Sequence, residues 1–191
     1  MDRKTAILDH AERATRGKGY NGFSFEHIAR AVGIQKASMY HHFASKPDLV
    51  REMFQRYSNG IKMALKAIDA DDKPANCRIL AYLSENRLLL EEGQSICLSI
   101  ALGIENECLA VETLDELSAF HKMNVDWLES VFELAQSDGS IPNLVSSRSE
   151  AVTCLALVDG AQIMARSKRD VALFDEALMQ FRSRLSAGTI T

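Results

Sequence analysis

The chain has 191 residues, enough for one large domain or for a small domain attached to a larger one. A hydrophobic content of 47% with 25% charged residues is that of a globular protein in water, and no apolar run is long enough to cross a bilayer. The charged residues Asp2, Arg3 and Lys4 open the chain without an apolar signal core, so a cytoplasmic protein with no membrane partner is expected. Cys77, Cys97, Cys108 and Cys154 are far apart and form no CxxC or CxxH cluster, which excludes a disulfide framework and a zinc site.

In chain order, the spacing of Ile7, Leu8, Ala11 and Ala14 predicts a first helix over 4–16. Gly17, Gly19 and Gly22 then make a turn from which Tyr20 and Phe23 return to the core. Ser24 is a good N-cap for a second helix whose apolar residues run from Phe25 through Ile28 and Ala29 to Val32. Gly33 ends it, where a positive φ costs least. A third helix is predicted from Lys36 to about Phe43, with Met39 and Phe43 one turn apart on its inner face. Ser45 and Asp48 then read as a capping box around Pro47, opening a fourth helix that Leu49, Met53, Tyr57, Ile61, Leu65 and Ile68 extend. Asp69–Pro74 closes it.

From Ala75 onward every segment reads as helix: 75 to about 91, a short apolar helix over 96–104, a long one over 113–137, then 147–167 and 171–185 with a stop at Gly188. Leu88 is assigned to the inner face of the first of these. Met123, Met164, Met179, Phe120, Phe132, Phe174 and Phe181 recur at helical spacing and read first as core. His121 and Trp127 have no special pattern around them. The expected class is all-α: a three-helix amino-terminal domain joined by a helix to a larger helical bundle.

Two short helices joined by a Gly-containing turn form a helix-turn-helix, whose second helix normally enters the major groove of double-stranded DNA. The second helix here supports that reading, because Lys36, Ser38, Tyr40, His41 and His42 are all donors and no acidic residue lies among them. A formal charge of −4 is unfavourable for a DNA binder, but the charge is divided. Residues 1–56 hold ten Lys and Arg against six Asp and Glu, whereas 57–191 hold twelve against twenty. The expected domains are 1–56 and 57–191.

Gly19-Tyr20, Ser24, Ile28-Ala29, Gly33-Ile34, Tyr40, Phe43 and Lys46 occur in the order and spacing of the TetR family of bacterial regulators, which residues 4–55 resemble. Gln35 stands where that family often has Ser or Thr, and Ala37 where it often has Gly or Pro. The resemblance implies a DNA-binding site made of Ser24, Gln35, Lys36, Ala37, Ser38, Tyr40, His41, His42 and Lys46, with Tyr40 and Lys46 on phosphates. It also implies a homodimer, formed by the long helices over 113–137 and 147–167, and an unidentified small effector inside the larger domain. The Leu, Ile, Phe and Met content of 75–137 predicts a largely apolar effector, and no cofactor or metal is expected. The function expected is a transcriptional repressor released from its operator by that effector. Two alternatives are an effector-independent structural or protein-interaction factor on DNA, and a cysteine-based redox or electrophile sensor. No hydrolase, metalloprotease, Walker or dinucleotide fingerprint is present, so no enzyme is expected.

Overall fold

The computed structural model describes residues 2–186, which form nine α-helices and two 3₁₀ turns without a strand. The helices are α1 Arg3–Lys18, α2 Phe25–Val32, α3 Lys36–Met39, α4 Lys46–Ala70, α5 Ala75–Leu88, α6 Leu98–Gly103, α7 Val111–Asp138, α8 Ser147–Lys168 and α9 Ala172–Ser186. The all-α reading therefore holds, with the helix ends within a few residues of those expected. The predicted stop at Gly188 lies outside the described residues. The chain divides into two compact units, one of residues 2–60 with 96–120 and one of 61–95 with 121–186. α4 is one unbroken helix that contributes to both.

In the first unit, α1, α2, α3 and the start of α4 close over one apolar core. Ile7, Ala11, Ile28, Met39, Phe43, Leu49, Val50, Met53 and Phe54 are buried there. Residues 96–120 were expected in the larger bundle, but they pack here, with α6 against α1 and Leu98 and Leu102 fully buried. Polar links to Ile96 and Cys97 accompany that packing, and Arg56 ties α4 to α1 beside them. Arg16 Nε donates to the Ile96 carbonyl at 2.9 Å, which accounts for a buried arginine on α1. Arg56 of α4 bridges Asp9 at 2.6 Å and Glu12 at 3.0 Å. The Tyr57 hydroxyl and Cys97 thiol share a hydrogen bond at 3.0 Å, and Phe120 meets Phe54 edge-on at 5.5 Å.

In the second unit, α8 packs along α9, and both touch α5. Leu83, Leu128, Phe132, Val158, Phe174 and Leu178 fill the core. The Asp138 carboxylate accepts from the Ala75 and Ser140 amides, each at 2.8 Å, and so satisfies an orphan donor at the start of α5. Burial alone would raise the pKa of Asp138; the Ser140 hydroxyl, these two amides and the charge of Arg78 together outweigh it and hold it below the ordinary carboxylate value. Trp127 donates its indole N–H to Asp69 at 2.9 Å beside the Tyr82 ring, and His121 lies on the exposed side of α7. Several residues read as core point outward instead. Leu88, Met164 and Met179 are 69%, 50% and 62% exposed, and Val152 and Ile163 of α8 are exposed with them.

Asp159 of α8 is half-buried, and desolvation raises its pKa from the ordinary 3.8 to about 6. A carboxyl that holds its proton more tightly when folded loses stability as pH rises from about 4 to about 6. Asp159→Asn is therefore expected to stabilise the protein at pH 7 and to change it little at pH 4. Urea denaturation at both pH values checks this; an equal effect at the two would contradict it.

Candidate nucleic-acid interface

The site is built on local chain chemistry. Ser24 has extended backbone and accepts the His27 amide at 3.3 Å, which starts α2. Gly33 ends α2 with φ 77° and ψ 33°, and the Ile34 amide then returns to the Ala29 carbonyl at 2.9 Å. A Cβ on Gly33 would meet nothing within 4 Å, so glycine is required by the backbone conformation rather than by crowding. Gln35 precedes α3 in extended conformation.

α3 is shorter than its predicted span of Lys36 to Phe43. It stops at Met39, and Tyr40, His41 and His42 continue as tighter turns, their amides reaching the carbonyls three residues back at 3.3, 3.3 and 2.9 Å. Histidine and phenylalanine are weaker helix formers than alanine or leucine, and a new helix start follows at once at Ser45. There the Asp48 amide donates to Ser45 Oγ at 3.3 Å and the Ser45 hydroxyl donates to the Asp48 carboxylate at 2.6 Å. Ser45 thus caps α4 as read from the sequence, but the Asp48 carboxylate takes the Ser45 hydroxyl rather than its backbone amide, so only half of the capping box forms.

Met39 and Phe43 face the core, which turns Gln35, Lys36, Ala37, Tyr40 and His41 outward; Ser38 and His42 are half-buried. Between Gln35 and Phe43 this face carries no acidic side chain. Tyr40 is 56% exposed, yet its ring rests on Phe25 with centroids 5.2 Å apart, so its position is fixed by packing. A depression of about 440 Å³ brings Ser24, Lys36, Tyr40 and Lys46 together above Phe23 and Phe25. These four hydroxyl and ammonium groups suit an anionic oxygen such as that of a phosphate. Gln35, Ala37, Ser38, His41 and His42 lie along α3 and the turns after it, outside the lining of the depression.

Lys46 has a second employment that the sequence did not show. Its ammonium donates to the Phe23 carbonyl at 2.8 Å and lies 4.2 Å from the Tyr20 ring centroid and 4.5 Å from that of Phe23. Burial lowers its pKa, while Glu105 and Cys108 act in the opposite direction. Asn21 is a further residue missed from sequence. Its backbone amide and side-chain amide both donate to Glu105, at 3.2 and 2.6 Å, and its side-chain amide also reaches the Cys108 sulfur at 3.4 Å. No cation stands near Cys108 in the sequence, but the fold brings Lys46 within electrostatic reach of it.

The model for bacterial regulatory proteins of the tetR family matches residues 7–53, the stretch that forms this site. The chain carries a TetR-family amino-terminal domain. Over 49 residues it is 41% identical to IcaR, the HTH-type negative transcriptional regulator of the biofilm operon icaADBC in Staphylococcus aureus. That match spans 26% of this chain and 26% of the relative, so it compares reading heads and not whole proteins. The fold is shared over almost the full length. A TetR-family transcriptional regulator from Agrobacterium tumefaciens superposes with a TM-score of 0.91 and 26% identity, over 96% of this chain and 97% of that one. AibR, solved in complex with isovaleryl coenzyme A and operator DNA, gives a TM-score of 0.73 and 27% identity over 95% and 99%. The TetR-family relatives are regulators of transcription rather than enzymes.

The two lysines of the depression are expected to separate by their effect on stability. Lys46→Ala removes a charged donor from the Phe23 carbonyl and should cost about 1–3 kcal/mol. Lys36→Ala, on the exposed face, should stay within about 0.5 kcal/mol of the wild type. Urea denaturation of both variants checks this, and equal midpoints would contradict the assigned role of Lys46.

Proposed function

We propose that the protein is a homodimeric DNA-binding transcriptional regulator of the repressor type, released from its operator by a small, largely apolar effector. The observation that carries the reading is the outward face of α3, which offers Gln35, Lys36, Ala37, Tyr40 and His41 with no acidic group, next to the depression that gathers Ser24, Lys36, Tyr40 and Lys46. The matched domain, the negative regulatory role of IcaR and the complex of AibR with isovaleryl coenzyme A and operator DNA support it. In this reading Lys36 and Gln35 approach base edges, Ser24 and Tyr40 hold the phosphate backbone, and Lys46 adds its charge there while bracing the fold. Ala37, Ser38, His41 and His42 complete the contact surface.

A dimer suits the chemistry, since two heads reading one turn apart multiply a weak half-site. Of the two helices expected to form it, α7 buries Leu128, Val131 and Phe132 within its own unit and turns Lys122, Asp126, Ser130 and Glu133 outward. α8 is different. Val152, Ala156, Gly160, Ile163 and Met164 form an exposed apolar strip along it, and Met179 of α9 is exposed as well. We therefore assign the self-contact to α8 with α9. Because α4 supplies residues to both units as one helix, a change in its path on ligand binding would alter the spacing of the two heads, and by linkage DNA would weaken effector binding equally.

A sensor role for Cys97 or Cys154 has less support. Cys97 and Cys154 are buried, and burial pushes the Cys154 thiol up to about 12. The effector-free alternative would leave the second unit without any ligand-sized concavity, whereas it has one of about 550 Å³.

Two outcomes are expected. On a duplex recovered by binding-site selection, Tyr40→Phe and Lys36→Ala should each weaken binding, and Lys36→Ala alone should relax base preference; fluorescence anisotropy against single-base variants measures both. Unchanged affinity and preference in both variants would place recognition elsewhere. Gly160→Glu, at a position where an added Cβ would meet nothing within 4 Å, should give a folded monomer by sedimentation with loss of tight operator binding. A dimer retained in that variant, or a monomeric wild type at micromolar concentration, would contradict the assigned interface.

A further inference from the structure

α4 and α5 flank an open groove of about 550 Å³ within the second unit, of a size that small ligands occupy. Its walls are made mainly of small and apolar side chains: Ala64, Ala67 and Ile68 from α4, and Leu80 and Ala81 from α5. The charges around it are unequal. Lys73 is held by Asp71 at 2.8 Å, and Arg78 is held by Asp69 at 3.2 Å with Asp72 at 3.8 Å. Both cations are thus neutralised by neighbouring carboxylates. Glu85, exposed at the lining, has no cation partner among the described residues. The lining itself holds two carboxylates, Asp71 and Glu85, and two cations, Lys73 and Arg78; since both cations are already engaged, Glu85 is the one charge at the trough left uncompensated. Such a site repels an anionic amphiphile and attracts a cationic one.

We propose that the α4–α5 groove binds a lipophilic cation, with the apolar body against Ala64, Ala67, Ile68, Leu80 and Ala81 and the positive charge facing Glu85. Met63 stands one turn before Ala67 and Leu88 one turn after Glu85, and both are more than 60% exposed, so apolar surface continues along each helix beyond the groove. The cation desolvates little at the open edge and keeps a carboxylate beside it. Cys77 lines the same groove, half-buried, and its thiol reports occupancy without taking part in binding. Resting on the regulator reading, the groove is an effector site, because a ligand wedged against residues 64–71 presses on the helix that continues from the reading head.

Tetraphenylphosphonium and tetraphenylborate have nearly the same shape and opposite charge, which makes them the probes for this site. Each is titrated into the full-length protein by calorimetry, and alkylation of the four cysteines by iodoacetamide is followed by peptide mass spectrometry. The phosphonium is expected to bind and to slow alkylation of Cys77 while leaving the exposed Cys108 unchanged. Glu85→Gln should weaken it about two- to fivefold, the range for one exposed charge pair. Ala67→Trp, a change at an exposed position, should abolish binding by filling the groove. Equal or tighter binding of the borate, or undiminished phosphonium binding by Ala67→Trp, would overturn the proposal. A selected operator duplex then separates the two readings. Phosphonium binding that protects Cys77 but leaves operator affinity unchanged supports the site and counts against its use as a release switch.

Discussion

A lysine ammonium has three N–H groups and tolerates burial only where they are matched. Lys46 meets that condition by donating to the Phe23 carbonyl and lying over the faces of Tyr20 and Phe23. This one side chain ties the first turn of α4 to the loop before α2, and hence to the cap at Ser24. It also sets the floor of the depression in which Ser24, Tyr40 and Lys36 meet. The rest of the interface depends on that tie, because α3 is a single turn and has too few internal hydrogen bonds to hold its own orientation. Its direction comes from Met39 and Phe43 in the core on one side and from the fixed start of α4 on the other.

The same logic continues along α4. Arg56 holds Asp9 and Glu12 of α1, and one position later Tyr57 meets Cys97, while Arg16 reaches the carbonyl of Ile96. The residues that lead into α6 are thereby fixed to Arg16 of α1, 80 positions upstream, and to Tyr57 of α4, 40 positions upstream. For a regulator this is a useful arrangement: the segment that enters α6 and the helix that leaves the reading head share polar contacts. A shift of either is felt by the other.

Much of this was legible in the sequence, and the legible parts have a common character. The Ser24 cap, the Gly33 stop, the Ser45 cap and the inward pair Met39 and Phe43 are all decided within a turn or two of chain, and each is found where the local pattern put it. What could not be read depends on partners far apart in sequence. Lys46 with Phe23, Asn21 with Glu105, Arg16 with Ile96 and the packing of residues 96–120 beside the amino-terminal helices all require the tertiary fold. The α8 strip was obscured for another reason. Val152, Ile163 and Met164 have the periodicity of core residues, and hydrophobic spacing alone does not distinguish a face covered by the same chain from one left for another molecule.

The central claim is that the face of α3 reads double-stranded DNA in the major groove, as one of two heads in a symmetric dimer. Dimethyl sulfate footprinting of the wild-type complex on a selected duplex addresses it directly, since the reagent methylates guanine N7 on the floor of that groove. The account predicts two protected patches with centres about 34–36 Å apart on one side of the duplex. Protection absent from guanine N7, or confined to a single patch in a complex of saturated stoichiometry, would contradict it.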